Sequence, residues 1–363
     1  MAQQKLLYII NHMDWFWSHR LPLAEGAQRE GYEVLVAAAG AAADAELKRR
    51  GFSGFDLPAS PFKIIAAIHC LLQQEQPAVM HAITIKYAFM AGLAARLHPR
   101  LRAVYTIAGL GYLFSGEGFK PTLLRLAVGP FLRLALRHPR ARVIFQNPDD
   151  MAIMIRQGFV RAEDCHLILG SGVDVQQFSP RPNPQNPVPV VVMPTRLVHD
   201  KGVAVFIEAA RILKARNVPA AFQIAGGVTQ NNPLAISEEE IKAMTKDGAA
   251  LWLGKVSDMP GLLAGADLIA YPSYYREGIP KVLLEAAAMG KAIVTTDHPG
   301  CREVVRDGAN GLLVPIKNAE ALAAAIEKLL KDPALRKSMG EKSRARAEAE
   351  FDVRTIVQQT LQV

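Results

Sequence analysis

The sequence predicts an α/β protein built from two parallel-sheet domains that face each other across a deep cleft. Three observations predict it. Short apolar runs alternate with longer helical patterns, as in a parallel sheet covered on both faces. A proline-dense break divides this alternation near the middle. With 363 residues, 50% of them apolar, each half is large enough to bury its own core.

In the first half the strand candidates are Leu6–Ile10, Glu33–Ala38, Val79–His81, Ala103–Ile107, Val143–Phe145 and His166–Leu169. Helical patterns such as Leu21–Glu30 and Tyr87–Leu97 separate them. Then Pro180, Pro182, Pro184, Pro187 and Pro189 follow closely, each removing a donor and fixing φ, which predicts a linker. Alternation restarts with Val190–Met193, Phe222–Ala225, Leu251–Leu253, Leu268–Tyr271, Ala292–Thr295 and Leu312–Val314. Val203–Lys214, Lys281–Met289 and Ala319–Leu330 read as the intervening helices, and Pro333–Ala349 as a charged one. The predicted domains are therefore 1–175 and 190–350, joined by 176–189. The helix candidate Val353–Leu361, within 351–363, is expected to return to the first domain.

Composition narrows the function classes. Cys70, Cys165 and Cys301 lie far apart, which suits a reducing compartment. No zinc spacing and no D-x-D triplet is present, so no metal site is expected. The N-terminus lacks the pattern of a signal peptide, and no run of about 18 apolar residues reads as a membrane span. The net charge of +8 is weighted toward the first half, which implies an anionic partner. No G-x-G-x-x-G follows the first strand, which excludes a dinucleotide oxidoreductase. Nucleic acid is not expected, since no recognised motif or aromatic platform occurs.

The strongest chemical signal is the run from Glu277 to Glu285, EGIPKVLLE, which follows a predicted strand and loop. Gly278 permits close approach of a ligand, and Pro280 suits the first turn of a helix. Amides at such a helix start face an anion favourably. Arg196 and Lys201, in PTRLVHDKG after another strand, would offer a planar fork and a point charge to a diphosphate. Three glycine-bearing turns also follow strands: Gly226–Gly227, Gly254 before Lys255 and Val256, and Gly170–Gly172. Each alone is an ordinary turn, and the charged residues alone are ordinary surface residues.

Their order and spacing together resemble the family-4 retaining glycosyltransferases, which have two Rossmann-like domains (the GT-B fold). The matching pieces are SGVD (171–174), RLVHDKG (196–202), IAGG (224–227), 253–273, 277–297 and REVVRDGANGLLVP (302–315). The resemblance implies catalytic roles for Glu277, Arg196 and Lys201, the cations holding the donor diphosphate and Glu277 lying against the donor sugar. It implies ribose contacts for Glu285 and base contacts for Lys255 and Val256. Gly278, Ile279, Pro280, Lys281 and Val282 would give further donor contacts, as would Gly226 and Gly172. No cofactor is implied beyond the donor, a UDP-sugar. The leaving phosphate would act as base for attack on the same face, without a metal.

In the first half, NHMDWFWSHRLPL (11–23), MHAITIK (80–86) and YTIAGLGYLF (105–114) look like the branch that extends lipid-diphosphate-linked sugars in bacterial surface polysaccharide or O-antigen assembly. Asp14–Arg20 replaces the Gly-Gly pair that many members carry in the first loop, and Ala108 stands near the place of their histidine. The expected acceptor residues are His19, Arg20, His81, Lys86, Gly109 and Gly111. His81 reads equally as a core histidine at a strand end, and Arg20 as a locally paired cation opening the first helix.

Gly118–Arg142 holds Lys120, Arg125, Arg133, Arg137, Arg140 and Arg142 without an acid, interleaved with leucines. It reads as a surface for an anionic membrane or as a buried helix with a cationic rim. The expected function is transfer of a hexose or N-acetylhexosamine from a UDP-sugar to a polyprenyl-diphosphate-linked saccharide. The place would be the cytoplasmic face of the plasma membrane. The alternatives are a nucleotide-sugar epimerase or hydrolase of the same fold, and a non-catalytic nucleotide-sugar binding protein.

Overall fold

The computed structural model describes residues 3–111, 119–182, 186–229 and 232–363, and the side chains of all of these except 119–127. They form two compact units. The first comprises Met1–Ser171, Arg276–Gly278 and Arg354–Val363, the second Gly172–Tyr275 and Ile279–Val353. The proline-dense run at 176–189 thus falls in the second unit. Val353–Gln362 is helical, and from Arg354 onward it belongs to the first unit. There Ile356 packs with Val104, Ile144 and Ile168.

The first unit holds β1 (Lys5–His12), β2 (Glu33–Ala39), β3 (Ser53–Asp56), β4 (Val79–Ile83), β5 (Arg102–Ile107), β6 (Ala141–Phe145) and β7 (Cys165–Leu167). They pair in the order β3-β2-β1-β4-β5-β6-β7, all parallel. Apolar runs such as Leu6–Ile10 are buried along their whole length because helices cover both faces. The sequence missed β3, whose residues Ser-Gly-Phe-Asp lack any β-branched member and lie at the sheet edge.

The second unit holds β8 (Val190–Pro194), β9 (Ala221–Ala225), β10 (Leu251–Trp252), β11 (Leu268–Tyr271), β12 (Ile293–Thr296) and β13 (Gly311–Val314). Their order is β10-β9-β8-β11-β12-β13, again all parallel. Both sheets are therefore doubly wound. The strand order reverses between β1 and β4, and between β8 and β11. In open sheets of this kind a crevice forms beyond the carboxyl ends of the strands at each reversal.

Three local expectations need correction. The first helical segment begins at Met13, not at His19 and Arg20, and its stretch Phe16–Arg20 is a π turn. Strand β4 continues to Ile83, so His81 lies inside it instead of at its end. Pro280 is the extended N-cap of the helix Lys281–Ala288, not part of its first turn. Proline suits that position too, because its missing N–H would have had no intrahelical partner.

Candidate active site

In the second unit the loops at the carboxyl ends of β8 to β11 are tied to one another. Gly226 follows β9 and donates its N–H to Gly254 O at 2.8 Å, while Trp252 Nε1 donates to Gly226 O at 2.9 Å. A Cβ on Gly226 would stand 1.5 Å from Thr195 O, so only glycine fits there. A Cβ on Gly227 would stand 3.3 Å from the Lys255 Cβ, a tight but less restrictive contact. The loop after β8, which carries exposed Arg196, is thereby packed beside the loops that carry Gly226 and Lys255. Lys255 is exposed and Val256 half-buried.

A second set of contacts joins the β8 and β11 loops. Tyr274 N–H donates to Asp200 O at 2.9 Å. Gly202 adopts φ +81°, and a Cβ there would meet Pro272 O at 2.1 Å. Lys201 closes a short 3-10 turn, His199–Lys201, and is 3% exposed. Its ammonium donates to Tyr271 Oη at 2.8 Å and lies over the Tyr275 ring, 4.9 Å from the centroid. The sequence led us to expect a loop cation. The structure instead fixes this charge against two tyrosines that sequence reasoning missed. Cation–π attraction and the hydroxyl acceptor compensate its burial.

Glu285 lies on the buried face of the helix Lys281–Ala288. Burial pushes its carboxyl up to about 7, opposed by Lys281, whose Nζ is 3.8 Å from Oε1. Ile279 and Pro280 are buried, and Lys281 and Val282 half-buried, at the start of this helix. Gly172 lies elsewhere in the unit. A Cβ there would stand 2.6 Å from Val353 Cα, so packing against that backbone accounts for its glycine.

In the first unit, Arg276–Gly278 is held by polar contacts. Asp150, fully buried, accepts from Arg276 Nε at 3.1 Å and Nη2 at 3.0 Å, and from Asn147 Nδ2 at 3.1 Å. Gly278 N–H donates to Ala108 O at 3.0 Å. Gly109 has φ +116°, and a Cβ on it would stand 2.8 Å from Glu277 Cα. The backbone bearing Glu277 therefore lies against the turn after β5. Gly111, at φ +59°, lies two residues further along that turn.

At the β1/β4 reversal the predicted acceptor residues separate. Arg20 and His81 are buried, with Tyr8 paired across the strands to His81. His81 Nε2 bonds Thr106 Oγ1 at 2.7 Å, and burial, then Arg20, pushes the imidazole down to about 3. His19 is half-buried, stacks on Trp15 at 4.9 Å and bonds Ser18 Oγ through Nδ1 at 2.7 Å. Lys86 is exposed on the helix Ile85–Ala95, over the Tyr87 ring. Among the described residues no group of three or more His, Cys, Asp or Glu is placed to hold a metal.

The helix Phe119–Leu136 buries Leu132, Ala135 and Leu136 and exposes Phe131 and Leu134 beside Arg133. The side chains of Lys120 and Arg125 lie outside the described residues. Arg142 pairs with Asp164 at 2.9 Å, so not all of this basic stretch is unopposed. Among the described residues no helix is long and apolar enough to cross a membrane.

Comparison with known proteins matches "Glycosyl transferases group 1" over residues 174–346 and "Glycosyl transferase 4-like" over residues 5–147. A similar protein is the N,N'-diacetylbacillosaminyl-diphospho-undecaprenol alpha-1,3-N-acetylgalactosaminyltransferase of Campylobacter jejuni. It is 32% identical over 269 residues, covering 71% of this chain and 68% of the relative. The UDP-Gal:alpha-D-GlcNAc-diphosphoundecaprenol alpha-1,3-galactosyltransferase of Escherichia coli is 25% identical, covering 75% of this chain and 71% of that one. Among solved structures, the sucrose-phosphate synthase of Thermosynechococcus elongatus superposes with a TM-score of 0.81 at 19% identity, over 99% of this chain and 98% of that one. Anabaena HepE in complex with UDP and glucose gives 0.77 at 24% identity, over 99% and 98%. These likenesses show the fold.

Proposed function

The chain belongs to the family-4 glycosyltransferases, of GT-B fold, and from that premise we propose that it transfers a hexose or N-acetylhexosamine from a UDP-sugar to a polyprenyl-diphosphate-linked saccharide, with retention at the anomeric carbon. The observation that carries this reading is the interlocked set of loops after β8 to β11, which presents Arg196 and Lys201 together with close-packed glycine backbone. When the glycosidic bond to the donor breaks, negative charge collects on the departing diphosphate. Fixed cations stabilise that charge without a bound metal. Glu285 would accept hydrogen bonds from the ribose hydroxyls, and Glu277 would orient the sugar hydroxyls. Lys255, Val256 and the backbone from Gly278 to Val282 would line the remainder of the donor.

The acceptor reading draws on the two lipid-diphosphate transferases above, whose names give acceptors of that class. Exposed Phe131 and Leu134 beside Arg133 support contact with an anionic bilayer through 118–142, and hence a peripheral position at the cytoplasmic face. The test is a panel of radiolabelled UDP- and GDP-sugars with short-chain lipid-diphosphate saccharides, with and without chelator. Label entering the lipid extract at a chelator-independent rate is expected. Label released only as free sugar would indicate a hydrolase. Strict metal dependence would remove the charge-stabilisation argument.

A further inference from the structure

The buried guanidinium of Arg20 has no counter-charge among the described residues of the first unit. Phe16, Arg20, Leu23, Ala24 and Ala27 form the inward stripe of the segment after β1, so a cation occupies a core-facing position. The π turn Phe16–Arg20 ends on it, and such turns concentrate at functional sites. Arg20 is 7% exposed and its Nε is sealed without a hydrogen-bond partner. Beneath it the Tyr8 hydroxyl, on a side chain 1% exposed, is sealed and unpartnered as well. No carboxylate among the described residues pairs with the guanidinium. His81 cannot serve as a counter-charge, since it is held neutral and bonded to Thr106. Burial lowers Arg20 only to about 10, so it stays charged at neutral pH.

A buried cation without a partner is costly, and it persists where a ligand supplies the opposite charge. We propose that Arg20, with the Tyr8 hydroxyl as a second donor, forms a subsite for a phosphate or diphosphate group at the β1/β4 reversal. Which phosphate compound fills it naturally rests on the acceptor reading above: either the acceptor's diphosphate or a free phosphate anion. A planar fork suits phosphate oxygens, and a phenol adds a neutral donor that does not compete for the anion.

The test uses the full chain with Arg196→Ala and Lys201→Ala introduced together, so that the second unit's cations do not contribute. Inorganic pyrophosphate is titrated by calorimetry and by phosphorus NMR, with and without Arg20→Met and, separately, Tyr8→Phe. Arg20→Met is expected to weaken pyrophosphate binding at least tenfold, and Tyr8→Phe by a smaller factor. The melting temperature of Arg20→Met should stay level or rise, because an unpaired buried charge is replaced by a side chain of similar length. A structural role would not give that rise. Unchanged affinity in Arg20→Met, or a melting temperature lower by 5 °C or more, overturns the proposal. A soluble prenyl diphosphate that displaces pyrophosphate identifies the acceptor's diphosphate as the source. Pyrophosphate that it cannot displace identifies a free anion. Absence of UDP-sugar turnover in the parent chain, with pyrophosphate binding at Arg20 intact, would count against the donor reading alone.

Discussion

Asp150 and Arg276, 126 residues apart in sequence, are joined by two hydrogen bonds from one guanidinium to one carboxylate oxygen. The pair fixes the residue immediately before Glu277. Burial raises the Asp150 carboxyl, while Asn147 and Arg276 act to keep it ionised. Removing one partner leaves a charge stranded in the interior, which typically costs about 3–5 kcal/mol. Asp150→Ala should therefore lower the unfolding midpoint of the first unit by an amount on the order of 10 °C. Turnover should also fall, because Glu277 loses its anchor. Calorimetry and a steady-state assay on the same preparation check both. A melting temperature within 1–2 °C of the parent would show that Arg276 does not depend on Asp150.

Glu285 sets a pH dependence whose sign can be worked out. Its folded carboxyl titrates at about 7, above the ordinary value of 4.5. Between those values the folded state holds a proton that the unfolded state has released, so stability falls as pH rises from 4.5 to 7. A shift of this size corresponds to roughly 3 kcal/mol. Glu285→Gln should remove this part of the slope, which urea titrations at pH 5 and pH 7.5 would reveal as a smaller difference than in the parent. UDP should bind more tightly as pH rises from 6 to 8 if ribose hydroxyls donate to the carboxylate. Proton release on binding at pH 6.5, read by calorimetry in two buffers, measures the same linkage. Equal slopes in parent and variant would show that Glu285 does not hold a proton in the folded state between pH 5 and pH 7.

Most of the strand skeleton was legible because buried parallel strands are apolar along their whole length. Leu268–Tyr271 and Val190–Met193 stand out on that ground alone. Strand β3 was not legible, since an edge strand of Ser, Gly, Phe and Asp carries no such signal. The loops bearing Arg196, Lys201 and Gly226 could be placed by their position after strands. What those side chains touch could not be read. Lys201 lies against Tyr271 and Tyr275, seventy and more residues away, and only strand order brings them together. Arg20 was visible as a cation, but neither its burial nor the π turn that ends on it could be read. A charged residue on an otherwise apolar stripe, Phe16, Leu23, Ala24 and Ala27, was the available signal.

Tyr271 should behave as a positioning residue for Lys201. Its hydroxyl accepts from the ammonium at 2.8 Å, and Thr295 Oγ1 donates to the Tyr271 carbonyl at 2.6 Å, so the tyrosine is held at both ends. A hydrogen bond to a charged group contributes about 1.5–3 kcal/mol. Tyr271→Phe keeps the ring and removes the acceptor. If Lys201 stabilises the departing diphosphate, kcat should fall roughly 10-fold or more, with a smaller change in the KM for the UDP-sugar. A rise in KM at constant kcat would instead assign Lys201 to ground-state binding.

Gly226 and Gly265 make a paired test of which glycines the fold requires. Gly226 leaves no room for a Cβ, because Thr195 O would lie 1.5 Å away and both backbones are held by hydrogen bonds on either side. Gly226→Ala must therefore push apart the loops that follow β8 and β9, at a cost of about 1–3 kcal/mol, the size of an overpacked core. Arg196 lies on the loop after β8, and the Gly226 N–H holds Gly254, next to Lys255, so affinity for UDP should fall with stability. Gly265 ends the helix Met259–Gly265 with nothing within 4 Å of its Cβ position. Gly265→Ala should be neutral or stabilising by up to about 1 kcal/mol, since alanine is the better helix former. Chemical denaturation and UDP titration of both variants decide it. Equal effects at the two positions would mean that the close approach of Gly226 to Thr195 does not constrain the donor loops.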